Sequence, residues 1–299
     1  MSMPETYELL RERSYQSEIM DLGDNSQVTA PETKRRGQEY LEMSKMQQQG
    51  ITHVLDEFSN VFNEMQGTCL VLGCKAGSLL KDKILPKLAK DAVLVGADVA
   101  DDILEHAKKN CSGEKRISFK LIDIGGMRIP NEDIEKYDNI ISFYYLETFQ
   151  NMSRLVRHMS RMLKPRGQGL VMILSHHDIY DLHLTYRANP NYGTYMEDIF
   201  FQLPALFGLP NAAQIVRDNI DMNGLKTIDC KVKELSITYS NTKDLEYSLM
   251  TMDPFVHRMP DDVQEKYKKE FIEEYVGDKM KNGEIIDTYR VVIAQFQKA

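Results

Sequence analysis

"VLGCKAGSLL", residues 71–80, decides how the chain is read. An apolar strand runs into Gly73 and a helix opens near Gly77, so the stretch is a strand–turn–helix joint. Glycine lets the backbone take positive φ and lets a ligand approach it closely. Between the two glycines, where a turn that holds a phosphate- or nucleotide-type group usually carries another, stands Lys75. The joint reads as a ligand-binding turn with one position altered.

Outward from this joint the pattern repeats. Strands are predicted over 68–73, 92–98, 117–123, 137–146 and 169–175, with helices over 79–89, 100–110 and 150–163, the last stopped by "KPRG". The helix at 100–110 carries acid in its first turn and base in its last, which suits its dipole. Largely apolar strands alternating with helices imply a parallel sheet covered on both faces. Upstream, Leu41, Ile51, Val54, Leu55, Phe58, Val61, Phe62 and Met65 recur at helical spacing, giving one long amphipathic helix or two in series. Downstream of Ser175 the rhythm breaks into a Tyr-, Phe- and Pro-rich stretch. A helix at 211–223, a strand at 229–240, helices near 242–251 and 260–276, and a closing strand at 288–297 follow. The reading is one domain over 36–299 with a helical cap inserted at about 176–225 and 242–280, preceded by a weakly ordered extension, 1–35.

Composition removes several function classes. The 299 residues carry a formal net charge of -8, and the densest basic run, "KRRG" at 34–37, is short, so no nucleic-acid partner is expected. Four cysteines without a CxxC pair argue against structural zinc and fit reduced thiols in a cytoplasmic protein. No secretory signal, membrane span or lipidation motif is seen. His176, His177 and His183 form no coherent ligand set, so no metal is expected.

In a doubly wound sheet, ligands sit beyond the carboxyl ends of the strands, where strand order reverses. The residues expected there are the Gly73–Gly77 turn, Asp98, Asp123, and Ser142, Phe143 and Tyr144. An acid ending the second strand is placed to accept hydrogen bonds from a ribose diol, and one after the third from an adenine amine. Each has a plainer reading: Asp98 as a cap for the helix near 100, Asp123 as a turn former before Gly125 and Gly126.

The layout resembles the class I S-adenosylmethionine-dependent methyltransferases, and more narrowly the arthropod juvenile hormone acid methyltransferases. The likeness covers about 35–299 and is carried by "YLEMSKMQQQG" (40–50), "VGADVADDILEHAKK" (95–109), "FKLIDIGG" (119–126), "YDNIISFYYLETF" (137–149) and "MDPFVHRMPDDVQEKYKKEFIEEYV" (252–276). It implies an α/β fold with a doubly wound, mostly parallel seven-stranded sheet and a helical cap. It also implies S-adenosyl-L-methionine as cofactor and a small lipophilic acid as substrate. On this likeness Asp98 takes the ribose hydroxyls, and Asp123 with the backbone at Ile124 takes the adenine. Gly73, Cys74 and Gly77 wall the methionine part, Ser142 and Phe143 lie beneath it, and Gln47 and Tyr40 stand near the reacting carboxylate.

A carboxylate acceptor is ionised at neutral pH and needs no strong base, so the protein supplies position and desolvation. The cap aromatics Tyr180, Tyr186, Tyr192, Tyr195, Phe200, Phe201 and Phe207 are candidates for the walls of an isoprenoid site, or for ordinary core. Departures from the family stand at Val71, where an acid is usual, at Lys75, where a glycine is usual, and at Glu147–Thr148, where the family has His–Trp. They leave two alternatives: a methyltransferase-fold protein binding a lipophilic ligand with little or no turnover, and a small-molecule methyltransferase with a different acceptor.

Overall fold

The computed structural model describes residues 43–299. Tyr40 and the expected extension 1–35 lie outside the described residues. Helices α1 (Lys45–Glu57) and α2 (Ser59–Glu64) lead into β1 (Thr68–Leu72), and β2 (Val93–Asp98), α3 (Asp101–Asn110) and β3 (Ile117–Leu121) follow. Next come β4 (Tyr137–Phe143), α4 (Met152–Met162), β5 (Leu163–His177), α5 (Asp178–Arg187), α6 (Ile199–Gln202) and α7 (Ala212–Met222). The chain closes through β6 (Leu225–Tyr239), α8 (Thr242–Met252), α9 (Asp261–Val276), the two-residue β7 (Met280–Lys281) and β8 (Glu284–Lys298).

One sheet runs in the order β3-β2-β1-β4-β5-β8-β6, with β7 paired to β8. β1 to β5 are parallel, and β8 is antiparallel to both β5 and β6. Strand order reverses between β1 and β4, so the ends that carry Gly73, Asp98, Asp123 and Tyr144 share one edge, beside the switch point. The doubly wound α/β reading holds.

Period-two alternation explains the two layers. Cys69, Val71, Ile141, Phe143, Leu170 and Met172 face α1, α2 and the cap, while Leu70, Leu72, Ile140, Val171 and Ile173 face α4 and α7. The cap expected over 176–225 and 242–280 divides differently. Val216 and Ile220 of α7 pack with Val156, Met159 and Phe296 on the sheet, so α7 is a sheet-covering helix. The cap proper is α5, α6, α8 and α9.

Three elements differ from the sequence reading. The segment read as a helix over 79–89 is a π-helical turn, Leu80–Ile84, followed by a 3-10 turn, Leu85–Lys87, where Pro86 has no N–H to continue the ladder. "KPRG" does not end α4 in a loop. Leu163 caps α4 and begins β5, and the extra chain is absorbed as a register shift opposite Tyr137 and Asn139, with Arg166 at φ 65°. The closing strand starts at Glu284 rather than 288, because Asn282 (φ 53°) and Gly283 (φ 83°) make a two-residue hairpin between β7 and β8.

Aromatic packing and one buried carboxylate hold the cap together. Tyr186 stacks on Tyr192 at 5.5 Å and meets Phe271 at 5.2 Å, and Tyr192 meets Tyr267 at 5.2 Å. Tyr186, Tyr192 and Phe207 are therefore core, whereas Phe200 and Phe201 are about half exposed. At the centre, Asp253 accepts from His183 Nε2 at 3.1 Å, Tyr267 OH at 2.6 Å, and the amides of Phe255 at 2.6 Å and Val256 at 3.1 Å. Burial alone raises such a carboxyl, but His183, Tyr267 and the amide more than offset it and hold Asp253 below its ordinary value. Asp253→Ala leaves four buried donors without their acceptor. We expect a loss of about 3 kcal/mol, read from urea denaturation; an unchanged midpoint contradicts this role.

Candidate functional site

The turn after β1 is tied to β2 by one acceptor. Gly73 N and Cys74 N both donate to Ala97 O, at 2.9 and 3.1 Å. Gly73 (φ 73°), Lys75 (φ 45°) and Gly77 (φ 83°) take left-handed conformations. Gly77 is required twice over, because a Cβ there meets Ala107 Cα of α3 at 3.2 Å. Lys75 has no such licence, and left-handed space costs a non-glycine residue on the order of 1 kcal/mol. Contacts offset that cost: Lys75 N donates to Asp98 Oδ2 at 3.3 Å, and Lys75 Nζ donates to Gln47 Oε1 at 3.3 Å. The side chain runs to α1 across the strand ends.

Gln47 is half-buried at the first turn of α1, where Ser44 and Gln47 form a reciprocal capping box. Gln47 Oε1 accepts from Ser44 N at 3.2 Å as well as from Lys75. With the oxygen so engaged, the amide Nε2 is the remaining donor.

Asp98 is 4% exposed. Its Oδ1 accepts from Val99 N at 2.8 Å, and burial raises its pKa although these N–H groups and Lys75 pull the other way. It does not cap α3, whose N-cap is Ala100 with no side-chain bond. Asp123 is exposed, and its Oδ1 accepts from Gly125 N at 3.0 Å and Gly126 N at 2.9 Å, so it does form the turn after β3. Ile124 is buried, and its carbonyl accepts from His158 Nδ1 at 2.9 Å. Cys74 is buried, and burial pushes its thiol far above the ordinary range, so it is an apolar wall rather than a nucleophile.

At the end of β4 the roles divide. Ser142 Oγ donates to Leu72 O at 3.2 Å and joins β4 to β1, while Phe143 packs on Phe62 at 6.4 Å. Tyr144, at φ 50°, donates to Tyr289 OH at 3.2 Å, and Tyr289 OH donates to Met46 O at 3.3 Å. Gly50 makes room, since a Cβ there falls 2.1 Å from the Tyr144 hydroxyl. Tyr145 fills the space that the missing side chain of Gly73 leaves, and Phe149 fills that of Gly125; their rings meet edge-on at 5.1 Å.

Sequence reasoning missed two partners: the Lys75–Gln47 bond and the burial of Glu147. The signal for the second was a lone acid inside "SFYYLETF". Glu147 is 6% exposed, and its Oε2 has no hydrogen-bond partner. Burial lifts its carboxyl to about 8, against weaker opposing pulls from main-chain N–H groups and Lys75. Around the end of β5, ligand atoms of His176, Asp178 and Asp181 lie within 4.8 Å of one another. Lys279 already pairs with Asp178, whose carboxyl is held well below the usual range, first by His176 and then by Lys279.

A methyltransferase domain model matches residues 70–168, the span from β1 into β5. Juvenile hormone acid O-methyltransferase of Drosophila melanogaster is 25% identical over 270 residues, 87% of this chain and 91% of that protein. The Bombyx mori protein of the same name is 24% identical over 237 residues, 78% of this chain and 84% of its own. Among solved structures, Haemonchus contortus phosphoethanolamine N-methyltransferase 2, in complex with phosphomonomethylethanolamine and S-adenosylhomocysteine, superposes with a TM-score of 0.54. That match has 14% identity and covers 91% of this chain and 59% of that one. A buried acid ending β2 beside a left-handed glycine turn fits the ribose end of a nucleoside cofactor.

Glu147 sets a testable pH signature. Its folded pKa, about 8, lies above the ordinary 4.5. Its contribution to stability is therefore present below pH 4.5 and is lost as pH rises through about 8. Glu147→Gln keeps the shape without the ionisation. The variant should gain on wild type by up to a few kcal/mol (roughly 1.4 per pKa unit) between those limits. Urea midpoints at pH 4.5 and 8 check this; an equal offset at both contradicts it.

Proposed function

We propose that this chain, similar over its length to the juvenile hormone acid methyltransferases, is a class I S-adenosylmethionine-dependent methyltransferase that methylates a carboxyl oxygen of a small lipophilic acid of the juvenile hormone acid or farnesoic acid type. The observation that carries this reading is the bond between the Lys75 ammonium and the Gln47 amide oxygen, next to Asp98 at the strand ends. One turn thereby offers an acid for a ribose diol on one side and a cation with an amide donor for a carboxylate on the other.

S-adenosylmethionine supplies an electrophilic sulfonium methyl. The chain's own residues bind and orient. Asp98 takes the ribose hydroxyls, Asp123 and the backbone at Ile124 take the adenine, and Gly73, Cys74 and Gly77 line the methionine side, with Ser142 and Phe143 beneath. Gln47 Nε2 and Lys75 Nζ hold the acceptor carboxylate, with Tyr40 assigned to the same place. Since that carboxylate is ionised at neutral pH, no general base is needed. Partly desolvated, its lone pair is more reactive than in water.

A second reading, a methyltransferase-fold protein that carries a lipophilic ligand without turnover, is favoured by one observation: Tyr145 and Phe149 occupy the room left by Gly73 and Gly125. Calorimetric titration with S-adenosylhomocysteine, then a methyl-transfer screen over fatty and terpenoid acids, separates the two. Asp98→Ala should weaken S-adenosylhomocysteine by about 1–3 kcal/mol, the scale of charge-assisted hydrogen bonds. Unchanged affinity rejects Asp98 as a ribose ligand, and no binding by wild type favours the carrier.

A further inference from the structure

Glu147 has no role in the reading above, yet it is a buried acid on which the charge of Lys75 acts. It lies in the 3-10 turn Leu146–Thr148 directly after β4. The charged group that faces it from the β1 turn is Lys75, and the titratable group from β4 is Tyr144, itself backed by Tyr289 of β8. From β5 the main chain of Leu174 reaches it. Burial keeps the Tyr144 hydroxyl far above its ordinary range, so it stays neutral throughout. An orphaned carboxyl oxygen in such a place costs free energy unless a ligand satisfies it.

We propose that Glu147 is the third member of the acceptor's carboxylate anchor: its carboxyl O–H donates to one acceptor oxygen, while Lys75 Nζ and Gln47 Nε2 hold the other. This rests on the function proposed above and names the residue that selects the ionised acid. The proton stays on Glu147 throughout. Charge matching gives the selectivity. With Glu147 neutral, the anchor carries the single positive charge of Lys75 and an anionic acceptor neutralises it. With Glu147 ionised, the buried anion pairs with Lys75 itself and repels a carboxylate. Glu147 is thus compatible with an anionic substrate while it holds its proton, and becomes its competitor once it does not.

The test is calorimetric binding of farnesoic acid to the full chain between pH 6 and 9, with S-adenosylhomocysteine affinity measured in parallel. For wild type, the dissociation constant of the acid should be flat to about pH 8 and then rise towards about tenfold per pH unit. Glu147→Gln, a permanently neutral donor, should flatten that limb. Glu147→Leu should weaken the acid at least about tenfold at pH 7, and neither variant should shift S-adenosylhomocysteine binding. The same limb in the Gln variant, a loss of S-adenosylhomocysteine with the acid retained, or no binding of the acid by wild type each overturns the proposal. The two readings fail separately. An acid bound with this limb but not methylated supports Glu147 and rejects turnover, whereas methylation with the limb intact in Glu147→Gln rejects Glu147 and keeps the function.

Discussion

The carbonyl of Ala97 accepts from the amides of both Gly73 and Cys74, and the rest of the strand-end geometry depends on those two hydrogen bonds. They fasten the β1 turn to β2 and force the chain into left-handed space at Gly73. Lys75 N is thereby delivered onto the Asp98 carboxylate, and the Lys75 side chain is sent across the edge to α1. A glycine at 75 would take the same backbone angle at lower conformational cost. It would not connect the β1 turn to Gln47.

Two buried carboxyls at this edge differ because their surroundings differ. Both are raised by burial, but Asp98 receives amide donors on both oxygens while Glu147 leaves Oε2 unmatched. The same desolvation acts on each, and main-chain N–H groups decide how far it is answered. An acid in an apolar strand end and an acid in a turn look alike in a sequence. Their protonation behaviour is set by amides that only the folded chain brings to them.

Much of the fold was legible because its signals are local. Apolar runs of strand length alternating with helical spacing located β1 to β4 and α3, and their order placed Gly73, Asp98, Asp123 and Tyr144 on one edge. What was illegible had non-local causes or mixed signals. The register shift that absorbs 164–167 depends on β4, and the π turn after Ser78 depends on how Leu80 and Ile84 reach the core. The Asn282–Gly283 hairpin was readable from its dipeptide and was passed over. At the site, the acids were legible by position, but the Lys75–Gln47 bond spans 28 residues and no spacing rule predicts it. Asp253 shows the reverse case: it lies in the stretch 252–276 that carries part of the family likeness, and its carboxylate is a packing centre of the cap.

The relay from Tyr144 through Tyr289 to the carbonyl of Met46 joins residues 243 positions apart. A chain emerging from the ribosome completes β1 to β5 long before residue 289 exists. Until then α1 has its capping box but not the hydroxyl that seats its first turn against β4. Contacts of such sequence separation form late, after their loop-closure cost has been met by nearer ones. The sheet edge that carries Asp98 is therefore assembled early, whereas the wall that carries Gln47 is set by the last strand to be synthesised. Maturation of the two halves of the site is separated in time by the length of the cap.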